Sequence, residues 1–232
     1  MDIPPFARRT RSISAELAAH LENLISQGQM KPGERLPPER ELAASMGVSR
    51  ASLRQAMFEL ESKQLIDRRQ GSGSVVLGPP ENVSNLYDRF AGHDVELANA
   101  LELRDLVEPR IALMAALRAV DSNLFSLEDV LLRSNENLSA AESIGLDIEF
   151  HMLLAHAAQN PLLVTLCTMT NGWTQDLRRL SHEHTRGRRI SIAGHRNIYA
   201  AVAARDGAGA ARAMEEHLRD VSGMALRGKP GL

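Results

Sequence analysis

Between Leu36 and Val76 the chain carries two short apolar helical stripes separated by a lone glycine, then an alternating segment with a glycine-rich tip, and few folds accept that order in so little chain. Pro37 and Pro38 fix an extended entry. From Glu39 to Met46, one helical stripe collects Leu42, Ala43 and Met46, and Gly47 stands where a left-handed residue closes a helix. Ser49 is suited to cap a second helix with the apolar face Leu53, Ala56, Met57 and Leu60, which leaves Arg50, Ser52, Arg54 and Gln55 opposite. After Leu65-Ile66, residues 67–76 read as two short strands around Gln70-Gly71-Ser72-Gly73. Helix, tight turn, helix and β wing make a winged helix-turn-helix, and a polar face at the start of its second helix suits the major groove of double-stranded DNA. A Ser-Arg-x-x-x-Arg run by itself is more often a solvated face, and paired glycines an ordinary hairpin tip. Their combination in this order favours DNA.

The segment Gly78-Pro79-Pro80-Glu81-Asn82 opposes both helix and strand and marks a linker. Beyond it, Ala, Leu and Met recur at helical spacing over 95–119, 127–141, 146–159, 161–180, 190–205 and 208–226, with Gly207 and Gly209 at one junction. The expected fold is therefore mainly α. Residues 1–78 form a winged helix-turn-helix DNA-binding domain, 79–84 a linker, and 85–232 an all-α helical bundle. At 232 residues and 44% hydrophobic content the chain can build two modest cores. No apolar run approaches twenty residues, and Asp2, Pro4, Pro5, Arg8 and Arg9 break any signal-peptide pattern, so a cytoplasmic protein without a membrane partner is expected. The net charge of −2 hides an asymmetry: residues 1–78 hold 11 Lys+Arg against 9 Asp+Glu, and residues 79–232 hold 16 against 20. Arg8, Arg9 and Arg11 could follow a DNA backbone or simply fray. Cys167, the one cysteine, sits among Leu166 and Met169 and reads as a buried structural thiol.

Within the bundle, Asp147 and His151 are four apart and leave one face of a helix a turn apart. His195 and His217 flank Gly207 by twelve and ten residues, so an antiparallel hairpin brings them to nearly one level. One carboxylate and three imidazoles can bind a divalent ion, Zn²⁺ foremost with Ni²⁺, Mn²⁺ or Co²⁺ as alternatives, and leave room for an effector oxygen. Any such histidine is also commonly a satisfied core or surface group. Arg104 shares a stripe with Ala100, Val107 and Ile111, so its guanidinium should point partly inward. Its partner is either Glu108 one turn on or the carboxylate of a ligand. Arg110, on the neighbouring stripe, is a second effector candidate. Pro109 should kink its helix.

Residues 10–78 resemble the DNA-binding domain of the GntR family of bacterial transcription regulators. The resemblance implies that Arg40, Ser49, Arg50 and Arg54, and less strongly Arg35, contact phosphates and base edges, while Gln70, Gly71 and Gly73 form a wing in the minor groove. The family commonly has Gly near the end of the third helix, where this chain has Lys63-Gln64. Asp147-Ile148-Glu149-Phe150-His151, Asn160-Pro161-Leu162, His195 and Glu216-His217-Leu218 resemble the ligand-binding FCD domain of the FadR subfamily. That domain's pattern implies a metal on Asp147, His151, His195 and His217, with Arg104 beside it holding an organic acid. His20, His93, His156, His182 and His184 match no ligand position. The expectation is a metabolite-responsive regulator, not an enzyme: a homodimer on a palindromic operator, a repressor released by a small carboxylic acid. A metal-sensing repressor is the first alternative. A metal-dependent hydrolase or lyase is less favoured, because no His-Glu-x-x-His spacing supplies a general base.

Overall fold

The computed structural model describes residues 12–26, 29–63, 65–69, 73–77 and 97–227. Contacts divide the chain into two compact units, Met1–Gly78 and Pro79–Leu232. The linker at 79–84, the arginines Arg8, Arg9 and Arg11, the wing-tip residues Gln70 and Gly71, and also Gln64 and His93, lie outside the described residues.

The first unit runs α1 (Ile13–Ser26), α2 (Glu39–Ser45), α3 (Arg50–Ser62), β1 (Ile66–Arg69) and β2 (Gly73–Val76). Gly47 takes φ +65° between α2 and α3, a conformation that carries a steric cost for any residue with a Cβ. Ser49 caps α3, its Oγ accepting the Ser52 N–H at 3.1 Å. The expected face of α3, Leu53, Ala56, Met57 and Leu60, is wholly buried against Leu17, Ala18 and Leu21 of α1 and Leu42 and Ala43 of α2. β1 and β2 pair antiparallel with Ile66 opposite Val76 and Arg69 opposite Gly73, and Arg35 bridges to Val75. Where the family commonly has Gly, Lys63 caps α3 at φ −81°. Its ammonium instead reaches Glu22 of α1 at 2.7 Å.

The second unit is built from seven helices among its described residues: α4 (Leu97–Arg118), α5 (Asp121–Arg133), α6 (Ala140–Ala157), α7 (Pro161–Trp173), α8 (Gln175–His182), α9 (Thr185–Ala203) and α10 (Gly207–Arg227). Two of these differ from the expected spans for identifiable reasons. The helix expected over 127–141 starts at Asp121 and stops at Arg133, because Ser139 and Glu142 form a reciprocal capping box that opens a new helix. Leu138 continues the apolar stripe of Leu127, Val130 and Leu131, which is why periodicity alone runs across the break. The helix expected over 161–180 divides at Thr174, whose hydroxyl donates to the Thr170 carbonyl at 2.6 Å. α7 itself begins as the sequence indicates, with Pro161 in its first turn and the Asn160 side chain accepting the Leu162 N–H at 3.0 Å. α4 continues through Pro109 as one helix.

The bundle core joins Ile111, Ala112, Ala115 and Ala116 of α4, Leu127 and Val130 of α5, and Phe150, Leu153 and Leu154 of α6 to Ile198, Val202, Ala210, Met214 and Leu218 of α9 and α10. Cys167 is buried in it, and burial pushes its thiol well above the ordinary range, as expected of a structural cysteine. Among the described residues no helix is long and apolar enough to cross a membrane.

Candidate functional site

One stripe of α6 carries Ser143, Asp147 and His151, each one turn after the last, and all three are buried. α9 brings Ser191 and His195 to the same place at the same spacing, and α10 brings His217. The donor atoms of Asp147, His151, His195 and His217 all lie within 4.8 Å of one another. His195 Nε2 stands 3.3 Å from Asp147 Oδ1, and His151 Nε2 stands 4.0 Å from the same oxygen. The rings of His195 and His217 have centroids 4.6 Å apart, and Phe150 stacks on His195 at 4.1 Å. α10 approaches α9 this closely only because residue 194 is glycine: a Cβ there would collide with His217 Nδ1.

Four charged side chains surround the imidazoles. Arg104 donates from Nε to Glu108 Oε1 at 2.8 Å, and the other oxygen of Glu108 lies 2.8 Å from His151 Nδ1. A carboxylate at that distance orients the ring and leaves Nε2 on the side of Asp147, with Arg104 Nη2 3.5 Å away. Arg178 of α8 pairs with Asp147 Oδ2 and with Asn171 Oδ1, and Ser191 donates to Asp147 Oδ1 at 3.0 Å. Burial alone would raise the Glu108 carboxyl, but Arg104 and His151 outweigh it and hold the group well below its ordinary range. Burial, and then cationic neighbours, push His195 and His217 well below the ordinary histidine value, so both are neutral at pH 7, the form in which imidazole binds a metal.

The polar accounting does not close within the protein. His195 Nε2, both nitrogens of His217, His182 Nε2, Arg178 Nε and Arg104 Nη1 are buried without a hydrogen-bond partner among the described residues. Each such atom costs about 1–3 kcal/mol if left unmet. Unpaired neutral nitrogens around a carboxylate oxygen fit a divalent ion, and the cluster could hold one.

All four expected ligands are brought together, and Arg104 is beside them, with only about 1% of its surface exposed. Glu108 is its internal partner, yet Nη1 remains unmet. Arg110 is not part of the site: six positions after Arg104 it is turned about 240° round the helix and is exposed. His182, given no role from the sequence, is buried here, with Nε2 3.4 Å from Asp147 Oδ1. Burial, with Arg178 next in size, pushes it down to about 4. Arg178, Asn171 and Ser191 also went unread. The available signals were the one-turn spacings Ser143-Asp147-His151, Arg178-His182 and Ser191-His195.

On the winged unit, Arg35, Arg40, Arg50 and Arg54 are exposed. Arg54 lies 3.6 Å from Glu39, which Arg68 holds at 2.8 Å. Ser49 is exposed, but its oxygen already serves the α3 cap. Gly73 is exposed at the start of β2 with φ +82°.

Comparison with known proteins agrees with both halves of this description. Residues 13–76 match the model of bacterial regulatory proteins of the gntR family, and residues 99–220 match that of the FCD domain. The chain is 33% identical over 223 residues to the Uxu operon transcriptional regulator of Escherichia coli K12, covering 89% of this chain and 84% of that protein. It is 32% identical over 207 residues to the Uxu operon regulator of Haemophilus influenzae, covering 87% and 77%. It is 31% identical over 229 residues to the HTH-type transcriptional repressor NanR of Salmonella newport, covering 94% and 86%. These relatives are transcriptional regulators rather than enzymes. A winged domain with an outward arginine face, joined to a helical domain built round a buried Asp-His cluster, places this chain in the GntR family of transcriptional regulators, in the branch that carries an FCD domain.

Proposed function

We propose that the protein is a metabolite-responsive repressor that binds a palindromic operator as a homodimer and is released by a small carboxylic acid bound at a metal centre in its helical domain. Arg50 and Arg54, exposed on α3, would read the major groove, with Arg40 and Arg35 on the backbone and Gly73 in the wing. Asp147, His151, His195 and His217 would hold the divalent ion, Zn²⁺ foremost, which supplies a positive anchor for an oxygen of the acid.

The observation that carries this reading is Arg104 Nη1, buried without a partner among the described residues, on a guanidinium whose Nη2 lies 3.5 Å from His151 Nε2. The electrostatics point the same way. Arg104 and Arg178 are balanced by Glu108 and Asp147, so a divalent ion adds two positive charges that no further buried carboxylate of the cluster offsets among the described residues. An anion meets that demand, and a carboxylate can take the free edge of Arg104. Differential affinity of the acid for one packing of the helices would then bias the geometry of the dimer and so its grip on DNA. The similarity to an HTH-type transcriptional repressor supports repression over activation.

The test is a titration of the purified protein against DNA from upstream of its own gene, at fixed salt, with a panel of sugar acids and other small carboxylates. One acid should weaken binding by roughly the 5–150-fold of a typical allosteric coupling, and Arg104→Ala should bind the same DNA without responding. A metal-sensing repressor is the second reading, favoured by the 2.8 Å Arg104–Glu108 pair, which already gives the guanidinium an internal anion. It predicts operator affinity that follows metal loading and ignores every acid.

A further inference from the structure

His182 closes α8, a helix set apart from α7 at Thr174, and its imidazole is buried with about 2% of its surface exposed. Its Nε2 points to the same oxygen of Asp147 as the expected ligands do, at 3.4 Å against 3.3 Å for His195 and 4.0 Å for His151. That nitrogen has no hydrogen-bond partner among the described residues. The opposite nitrogen is held, with Nδ1 2.8 Å from Ser143 Oγ. Metal-bound histidines are arranged in this way, one nitrogen fixed by a protein group so that the other faces the ion. His151 follows the same pattern, with Glu108 2.8 Å from its Nδ1. Ser143 precedes Asp147 by one turn on the stripe that continues to His151, so a single face of α6 provides two donors and the group that aims a further one.

Neither of the ordinary explanations for a spare histidine applies. A solvated ring would be exposed, and a core histidine satisfied by hydrogen bonds would not leave Nε2 unmet beside a carboxylate. Taking the Asp147 cluster as the metal centre argued above, we propose that His182 is a fifth protein ligand, so that four imidazoles and one carboxylate face the ion. One position of an octahedron then remains for an oxygen of the anionic effector. A donor set so rich in imidazole selects Ni²⁺, Co²⁺ or Zn²⁺ and disfavours Mn²⁺. It also ties α8 to α6, α9 and α10 through the ion, which makes the position of α8 dependent on metal loading.

The experiment uses the full-length protein and Co²⁺ as the probe, with affinity measured by competition against a chromophoric chelator. His182→Ala and His182→Gln should each weaken Co²⁺ by at least the ~10–100-fold that losing a metal-supporting group commonly causes, and should change the visible absorption band as the coordination number falls. Ser143→Ala should produce a smaller loss in the same direction. In the wild type, proton NMR of the Co²⁺ protein should show four far-shifted exchangeable imidazole N–H signals, one from each coordinated ring. Three such signals would overturn the proposal, as would His182 variants that keep wild-type circular dichroism, Co²⁺ affinity and absorption band. Should both variants fail to fold, the signal count in the wild type decides. A wild type that binds neither Co²⁺, Ni²⁺ nor Zn²⁺ removes the metal centre itself and this proposal with it, whereas a wild type that binds Co²⁺ with three imidazole signals removes only His182.

Discussion

The winged unit keeps Arg40, Arg50 and Arg54 in solvent above an aliphatic core of Leu17, Leu21, Leu53 and Leu60, whereas the helical unit takes Arg104 and Arg178 entirely inside. The same residue type thus does opposite work in the two halves. An exposed guanidinium costs the fold almost nothing and remains available to a phosphate or a base edge. A buried one must be matched charge for charge, and the matching groups then govern what else can enter. The lesson is that a substitution in the first unit should separate function from stability, while one in the second should not.

Glu108→Ala should have the largest effect. It removes the anion paired with Arg104 and the carboxylate beside His151 Nδ1, leaving a buried charge unmet. Stripping one partner from a buried pair commonly costs about 3–5 kcal/mol, and calorimetry should show a correspondingly lowered Tm. A loss below about 1 kcal/mol would mean that Arg104 finds another partner and that the helical unit tolerates charge as the winged unit does.

Next comes the metal. An ion at a hundred times its Kd should stabilise the protein by about 2.7 kcal/mol, and Asp147→Asn should abolish the gain. Unchanged melting with Zn²⁺, Ni²⁺ and Co²⁺ would contradict the metal centre. The metal-free protein should also lose stability as pH falls below the ordinary histidine value of about 6.5. The folded-state values of His195, His217 and His182 are depressed, so the unfolded chain takes up protons that the folded one refuses, and for His182 this window extends down to about 4. Metal should flatten that slope, because protons and ion compete for the same nitrogens.

Arg50→Ala tests the other side of the contrast. Operator affinity should fall by about 1–3 kcal/mol, or roughly 5- to 150-fold, if Arg50 reads a base. Thermal stability should stay within ~0.5 kcal/mol of wild type, because Arg50 is exposed at the start of α3. A lowered Tm with unchanged DNA binding would reverse the assignment.

The contrast between the units also explains what could be read from the sequence. The winged unit was legible because each of its signals is local: Gly47 ends a helix, Ser49 starts one, and Leu53, Ala56, Met57 and Leu60 mark a face. Asp147 and His151 were legible for the same reason, and Gly207 set the level of His195 against His217. The boundaries at Ser139 and Thr174 were lost because a side-chain hydrogen bond, opening a helix at Ser139 and closing one at Thr174, broke the chain where the apolar period ran on. Arg178 and His182 were lost with Thr174. On one long helix they are two polar residues on an amphipathic surface, and only the turn that sets α8 apart brings them onto Asp147. Arg110 was read from a stripe next to that of Arg104, and its side chain is exposed rather than turned to the cluster.

The smallest effects should come from two matched serine caps. Ser49 opens α3 and Ser139 opens α6, each accepting a backbone N–H three residues on, at 3.1 and 3.2 Å. Replacing either by alanine should cost about 1 kcal/mol, since the chemistry removed is the same. The consequences should differ with what each helix carries. Fraying the first turn of α3 loosens the arginines that face DNA, so Ser49→Ala should weaken operator binding and leave Co²⁺ affinity untouched. Ser139 lies two turns ahead of Asp147, and the Ser143 contact with His182 is made from the first turn it caps. Ser139→Ala should therefore reduce Co²⁺ affinity several-fold while metal-free operator binding holds. Equal effects on both ligands from either cap would show that the two units share one stability and would remove the basis for treating them apart.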